Sequence, residues 1–371
     1  MLQNKIFQNY ILEIFKIFLT ILFGLTIIAW TVRAVNFLDL IVESGYPIIT
    51  YFQYSFLNFI GIFTKFIPLS FLIALTIFII RQINENELVI LWTSGVKKIK
   101  IVNLFILSSL IVSIFYLIFS VFVTPAALNK SRQLLGNENL SSFLPTIRVQ
   151  QFSDSFKGLT FIVDQKLNNQ IKNIFLHDNS NTLKNISSNN TKRKSNTIIA
   201  NNGIIDEKRM ILFSGQIIST DKENNESDVI KFEQLNIDLS NIQSNTIKQP
   251  KIQETSTLKL IGCLNKNYFN DKNCRGNIEK EILPTLNRRI VLPFFIPVLA
   301  LVVSFMLVKH NRSIFFNKIS IFGYSFIILI YAELVIRYTG ISKTMGNLFL
   351  LSPIILYLLT YFILRLKLSK E

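Results

Sequence analysis

Residues 101–123 read IVNLFILSSLIVSIFYLIFSVFV, an apolar run with no charge in it, and from Thr124 to Pro284 the chain changes to polar, mixed sequence. At 1.5 Å per residue the run is long enough to cross the roughly 30 Å hydrocarbon core of a bilayer. Five further windows qualify on the same ground. Two precede it, Ile17 to Ala34 and Phe56 to Ile80, and three follow the polar stretch: Ile290 to Val308, Ile319 to Tyr338 and Asn347 to Leu364. The first window reads as a retained helix and not a cleaved signal peptide, because no small-x-small pattern follows it and Arg33, Asp39 and Glu43 come next. Half of the 371 residues are hydrophobic, 17% are charged and the mean hydropathy is +0.40, which excludes a wholly soluble enzyme.

The formal charge of +16 is compatible with a nucleic acid, an anionic membrane or an anionic ligand, so the placement of the cations decides. With the N-terminus inside, Lys5, Lys16, Arg81, Lys97, Lys98, Lys100, Lys309, Arg312, Lys318, Arg365, Lys367 and Lys370 flank the cytoplasmic helix ends. Arg33, Arg288, Arg289, Arg337 and Lys343 flank the opposite ends. The bias predicts both termini in the cytoplasm and a membrane partner, with no nucleic acid. The chain thus divides into an N-terminal membrane half, 1–123, an external domain, 124–284, and a C-terminal membrane half, 285–371.

The external stretch alternates apolar and polar residues in short runs: Leu159, Phe161 and Val163; Ile174 and Leu176; Ile211 and Phe213; Leu235, Ile237 and Leu239. Period-two alternation with turn-rich connections predicts a β domain of sandwich, jelly-roll or open-barrel type, making the whole chain an α+β membrane protein. The segment from Ser180 to Asn196 is polar enough to read as a loop. Cys263 and Cys274 are the only cysteines, and on an oxidising side of the membrane they are candidates for a disulfide; two free thiols are the alternative. Their spacing fits no zinc motif, and with only His177 and His310 no metal site is expected. No phosphate-binding G-x-x-x-x-G-K-[ST], H-E-x-x-H or G-x-S-x-G occurs, so the chain is expected to be non-catalytic and to bind no cofactor of its own.

Between the second and third spans the sequence predicts a short helix over about 84–95. Asn84 suits an N-cap, Glu87 the third position of a capping box and Gly95 the stop. Leu88, Leu91 and Trp92 share one face, an apolar stripe expected to lack a partner within this chain. Such a stripe suits a groove on another protein or the bilayer surface, with Lys97, Lys98 and Lys100 at the headgroups. Arg33 reads either as a boundary marker or as a cation for lipid phosphate, and Lys65 either as an intramembrane charge beside a cavity or as an interfacial one. Glu333 and Arg337, four apart on the fifth span, are placed to pair on one helical face.

Several strings resemble the LptF/LptG (YjgP/YjgQ) permease family of the lipopolysaccharide exporter, in the family's order and across nearly the whole chain. Residues 87–96, ELVILWTSGV, resemble its cytoplasmic turn after the second helix; 197–203, TIIANNG, with 211–215, ILFSG, resemble its strand pair; and 289–293, RIVLP, resemble the entry to its fourth helix. Phe152 through Asp178 is more similar to LptF than to LptG. The resemblance implies six transmembrane helices with a periplasmic β-jelly-roll domain inserted between helices 3 and 4, in a bacterial inner-membrane protein. It implies a permease subunit of an ABC transporter that extracts lipopolysaccharide and passes it to a periplasmic bridge for export to the outer membrane. The implied partners are an LptB-like cytoplasmic ATPase dimer that uses the ATP, an LptG-like homologous permease and LptC/LptA-like jelly-roll proteins. On this reading Arg33 and Lys65 bind substrate, while Glu87, Leu88, Leu91, Trp92 and Gly95 couple to the ATPase. The alternative is a membrane-anchored periplasmic binding or assembly protein without transport.

Overall fold

The computed structural model describes residues 2–42, 46–137, 149–156, 158–167, 169–179, 194–206, 209–221, 227–238, 251–264, 279–308, 314–341 and 343–369. They form two compact units. One comprises Met1–Val32, Leu57–Lys130 and Gln249–Glu371, and the other Arg33–Phe56 and Ser131–Lys248. The described residues 251–264 and 279–284, assigned from the sequence to the external domain, group with the helices.

The helices in chain order are α1 (Leu2–Asn36), α2 (Asp39–Val42), α3 (Ile48–Asn84), α4 (Glu87–Thr93), α5 (Lys98–Ile118) and α6 (Thr124–Asn137). After the sheet come α7 (Thr257–Leu264), α8 (Glu279–Ile290), α9 (Phe295–Ser304), α10 (Ile314–Tyr338) and α11 (Lys343–Ser369). Among the described residues six spans are long and apolar enough to cross a membrane: Lys5–Ile41, Ile48–Asn84, Lys98–Leu135, Lys280–Leu307, Lys318–Tyr338 and Gly346–Ser369. Each takes in the apolar window read from the sequence, to within a residue. Span 3 joins α5 to α6 through a π turn at Phe119–Val123, and span 4 joins α8 to α9 through a 3₁₀ turn at Leu292–Phe294. Span 4 is the centre of the helical unit, with 83% of its apolar window buried against 17% for spans 5 and 6. Those two keep apolar faces outward, as lipid-facing helices do. Phe71, Phe78, Phe105, Ala300 and Leu301 are fully buried in the shared core.

The second unit carries one six-stranded antiparallel sheet in sequential order: β1 (Ser153–Phe156), β2 (Leu159–Leu167), β3 (Gln170–Asp178), β4 (Lys194–Asp206), β5 (Arg209–Asp221) and β6 (Ser227–Asp238). What is established is an inserted antiparallel meander, which is coarser than the expected jelly roll. The meander nevertheless turns a corner. Along β2 the inward residues are Leu159, Phe161 and Val163, and the next inward-facing position is Lys166, so Asp164 and Gln165 both face out. The same double step recurs beside it. Asn173 and Lys172 face out between inward Ile174 and Ile171, and Asn201 and Asn202 face out between inward Ala200 and Gly203. In β5 and β6 the steps fall at Phe213 and Ser214 and at Glu233 and Gln234. An extra outward residue at one register position in every long strand bends the sheet while its apolar face stays inside. Gln150, Asn173 and Ser214 adopt left-handed φ of 57°, 51° and 51° along this line.

A single apolar cluster accordingly gathers Val163, Ile174 and Ala200 from one side of the line and Ile171, Met210, Leu212 and Ile237 from the other. The inside of the corner has no room for side chains: a Cβ at Gly215 would lie 2.3 Å from the Ile199 carbonyl oxygen and one at Gly203 2.7 Å from Ile174 Cδ1. The alternation expected for β5 on Ile211 and Phe213 is out of phase, since Met210 and Leu212 are the buried pair. Four consecutive apolar residues carry no period, so their phase is set by the pairing with β4.

Candidate functional site

The short helix after span 2 is present, but it is α4, Glu87–Thr93, and not the longer 84–95. Asn84 is the last residue of α3 rather than an N-cap, and its side-chain oxygen accepts from Lys318 Nζ at 3.2 Å. Arg81, in the last turn of α3, pairs with Glu13 of α1 and, one turn on, with Glu85 at 3.6 Å. The turn is made by Asn86 at φ 58°, a left-handed conformation that Asn tolerates better than most residues. Glu87 is therefore the first helical residue and forms no capping box. Its carboxylate accepts from the Tyr10 hydroxyl at 3.3 Å, tying α4 to α1.

Gly95 ends the helix as read. Its φ is +87°, its N–H donates to the Trp92 carbonyl at 3.1 Å, and the Val96 N–H donates to the Leu91 carbonyl at 3.1 Å. This is a Schellman closure with Val96 and Leu91 as its apolar contact. The stripe of Leu88, Leu91 and Trp92 is not left without a partner. Leu88 is 0% and Leu91 7% exposed, both in the helical core, with Trp92 packed against it and Lys98 Nζ 4.8 Å from the Trp92 ring centre. Trp92 Nε1 is buried without an acceptor. The apolar side chains that α4 presents are the intervening Val89 and Ile90, 46% and 64% exposed. Sequence reasoning missed them because amphipathicity shows which residues share a face and is silent on which of two apolar faces turns inward.

The candidate cations lie apart in the sequence and in different units. Arg33 is exposed in the last turn of α1, in the sheet-bearing unit, and the Phe37 N–H donates to its carbonyl at 3.1 Å. Lys65 is exposed on α3 in the helical unit, about 24 Å of helix from Arg81 at 1.5 Å per residue. Glu333 pairs with Arg288 of α8 at 2.6 Å instead of with Arg337. The Arg288 ion pair thus ties span 4 to span 5, a partnership between residues 45 apart that no local spacing announces. Cys263 lies in α7 and is disulfide-bonded; Cys274 lies outside the described residues.

Along the chain come two spans, a Gly-stopped helix, a third span, an inserted antiparallel sheet and three further spans. The sequence matches the family model described as lipopolysaccharide export system permease LptF/LptG over residues 9–366. The chain belongs to the LptF/LptG family. The match covers nearly the whole sequence and does not separate LptF from LptG. No curated protein matches the chain. As an LptF/LptG chain it is a multi-pass inner-membrane protein and a non-catalytic transporter subunit with a role in lipopolysaccharide export. The A-x-x-G and L-x-x-G spacings of the family-like strings now have a physical reading. Ala200 to Gly203 and Leu212 to Gly215 are the three-residue steps across the corner of the sheet.

Proposed function

We propose that this chain is the LptF-type permease subunit of an ABC transporter that extracts lipopolysaccharide from the inner membrane and hands it to a periplasmic bridge. ATP is hydrolysed by a separate cytoplasmic ATPase dimer, a homologous LptG-like subunit completes the membrane part, and LptC/LptA-like proteins continue from the sheet. The basic residues at the Arg81 end of the spans support cytoplasmic termini and a periplasmic sheet. Arg33 and Lys65, both exposed, are assigned to the phosphates of lipid A and the inner core, for which Arg offers a bidentate fork. The chain itself needs no cofactor on this reading.

The observation that carries the proposal is α4. Its Leu88 and Leu91 anchor it in the chain's own core, and Val89 and Ile90 stand out from it at the cytoplasmic end of span 2. Anchoring on one side and an exposed apolar pair on the other is what a helix needs to carry force from a docked partner into the spans. Glu87, tied to Tyr10, and Trp92, under Lys98, position the helix; the docking surface is Val89 and Ile90. The test is copurification with partners supplied. Val89→Asp with Ile90→Asp is expected to lose the ATPase while the helical unit keeps its thermal stability, whereas Leu91→Ala is expected to lower that stability by about 2–5 kcal/mol. ATPase binding and export retained by the Val89/Ile90 variant would overturn the coupling assignment. A wild-type chain that brings down no ATPase would favour a membrane-anchored binding protein.

A further inference from the structure

Proline removes the N–H that the carbonyl four residues earlier would accept, and inside hydrocarbon no water replaces it. Three of these carbonyls in the spans receive a hydroxyl. Ser352 Oγ donates to the Phe349 carbonyl, four before Pro353, at 2.8 Å, and Ser113 Oγ donates to the Pro293 carbonyl, four before Pro297, at 2.9 Å. The third is different in kind. The Val121 carbonyl, four before Pro125, accepts from Thr257 Oγ1 at 2.8 Å, and Thr257 belongs to α7, outside the six spans.

Thr257 is itself held in place. Arg289 of span 4, 5% exposed, donates from Nη1 to Thr257 Oγ1 and to the Thr255 carbonyl, each at 2.9 Å, and from Nη2 to the Gln253 carbonyl at 2.8 Å. The contact falls where span 3 is least regular, at the π turn between α5 and α6. Beside it Thr64 of α3 and Thr124 of α6 meet hydroxyl to hydroxyl at 2.7 Å. A proline, a π turn and a donor from outside the spans are the parts of a joint that is closed in this conformation.

We propose that Pro125 is a hinge in span 3 and that Thr257, positioned by Arg289, is the lock that holds it. While Thr257 donates to Val121, the two halves of span 3 are fixed at one angle. When it withdraws, the Val121 carbonyl must find another donor, and the half of the span leading to the sheet re-aims. Arg289 belongs to span 4 and its other acceptors, Gln253 and Thr255, lie on the chain returning from the sheet, so movement of span 4 reaches the lock directly.

The experiment places spin labels at the exposed positions Leu110 on α5 and Lys130 on α6 of the full-length chain in its purified complex. The wild type is expected to give one narrow distance distribution. Thr257→Val keeps the shape and removes the donor, and is expected to shift the locked-to-unlocked ratio by about tenfold, the worth of one buried hydrogen bond. A second distance population would report that shift. Arg289→Lys, which cannot span three oxygens, is expected to move the ratio in the same direction by less. Pro125→Ala restores an N–H for Val121, so the Pro125→Ala/Thr257→Val double variant is expected to return to the narrow distribution. A Thr257→Val distribution as narrow as the wild type, or a broad one that Pro125→Ala fails to narrow, would overturn the lock. The final arm rests on the permease reading: Pro125→Ala alone is expected to fold, to stay narrow and to slow lipopolysaccharide export, and unimpaired export would show that the hinge has no part in it. A wild-type chain without export would count against the permease reading, with the distances still deciding for or against the lock.

Discussion

At three of the prolines within the spans of the helical unit, Pro125, Pro297 and Pro353, a hydroxyl of Thr257, Ser113 or Ser352 donates to the carbonyl four residues earlier. In the sheet regularity is broken at one line across five strands, and there the described residues supply no comparable set of buried donors. The extra residues Asp164, Asn173, Asn201, Ser214 and Glu233 turn outward, where Gln150 and Asn173 both donate to Asp164 and most of the line is exposed. The surroundings account for the difference. A backbone group in hydrocarbon has only protein to bond with, whereas one on an exposed polar face has water. The two regions are therefore vulnerable at opposite places: the membrane breaks at their polar compensation, the sheet corner at its apolar, crowded inside.

Three substitutions put that contrast at risk. The largest effect is expected inside the corner. Gly215→Val sets a Cβ 2.3 Å from the Ile199 carbonyl oxygen and 2.5 Å from the Phe232 ring, and is expected to cost the sheet about 3 kcal/mol or more. Limited proteolysis should then cut the strands while the helices survive; a sheet as resistant as the wild type would remove the account of the corner. Next comes Ser113→Ala, which removes the hydroxyl donor to the Pro293 carbonyl within the span 3 and span 4 contact but leaves that carbonyl the backbone N–H it accepts at the end of the 3₁₀ turn, so it is expected to cost about 1 kcal/mol in the detergent-solubilised chain. No measurable loss there would mean that the carbonyl is satisfied without Ser113. The smallest effect belongs to the water side of the corner. Ser214→Gly relieves a left-handed φ of 51° at the cost of backbone freedom, so the sheet's denaturation midpoint should move by less than about 1 kcal/mol. A large change in either direction would show that the outward residues carry more of the bend than their exposure implies.

Much of the architecture is legible without coordinates because bilayer thickness is a length, and length is read directly from a run of apolar residues. The insertion after span 3 follows from the apolar run ending at Val123. Gly95 is legible too, since a left-handed stop after a helix favours one residue type. The inward stripe of α4 is legible as a set but not as buried, because Leu88 and Leu91 share one core with Tyr10, Phe78 and Ile101 only after spans 1 to 3 come together. Glu333 misleads in a similar way: its neighbour four residues on is a plausible partner, and Arg288 on another span is the actual one.

What the sequence by itself determined is whatever depends on local composition and spacing: six spans, an inserted antiparallel sheet, and the strings by which the chain belongs to the LptF/LptG family. The tertiary structure alone decided which face of α4 is exposed, the phase of β5, and that the distant hydroxyls of Thr257 and Ser113 reach the carbonyls of Val121 and Pro293. Apolar length and proline are properties of a segment, but a hydrogen bond across 136 residues, such as that of Thr257 to Val121, exists only once the segments have packed.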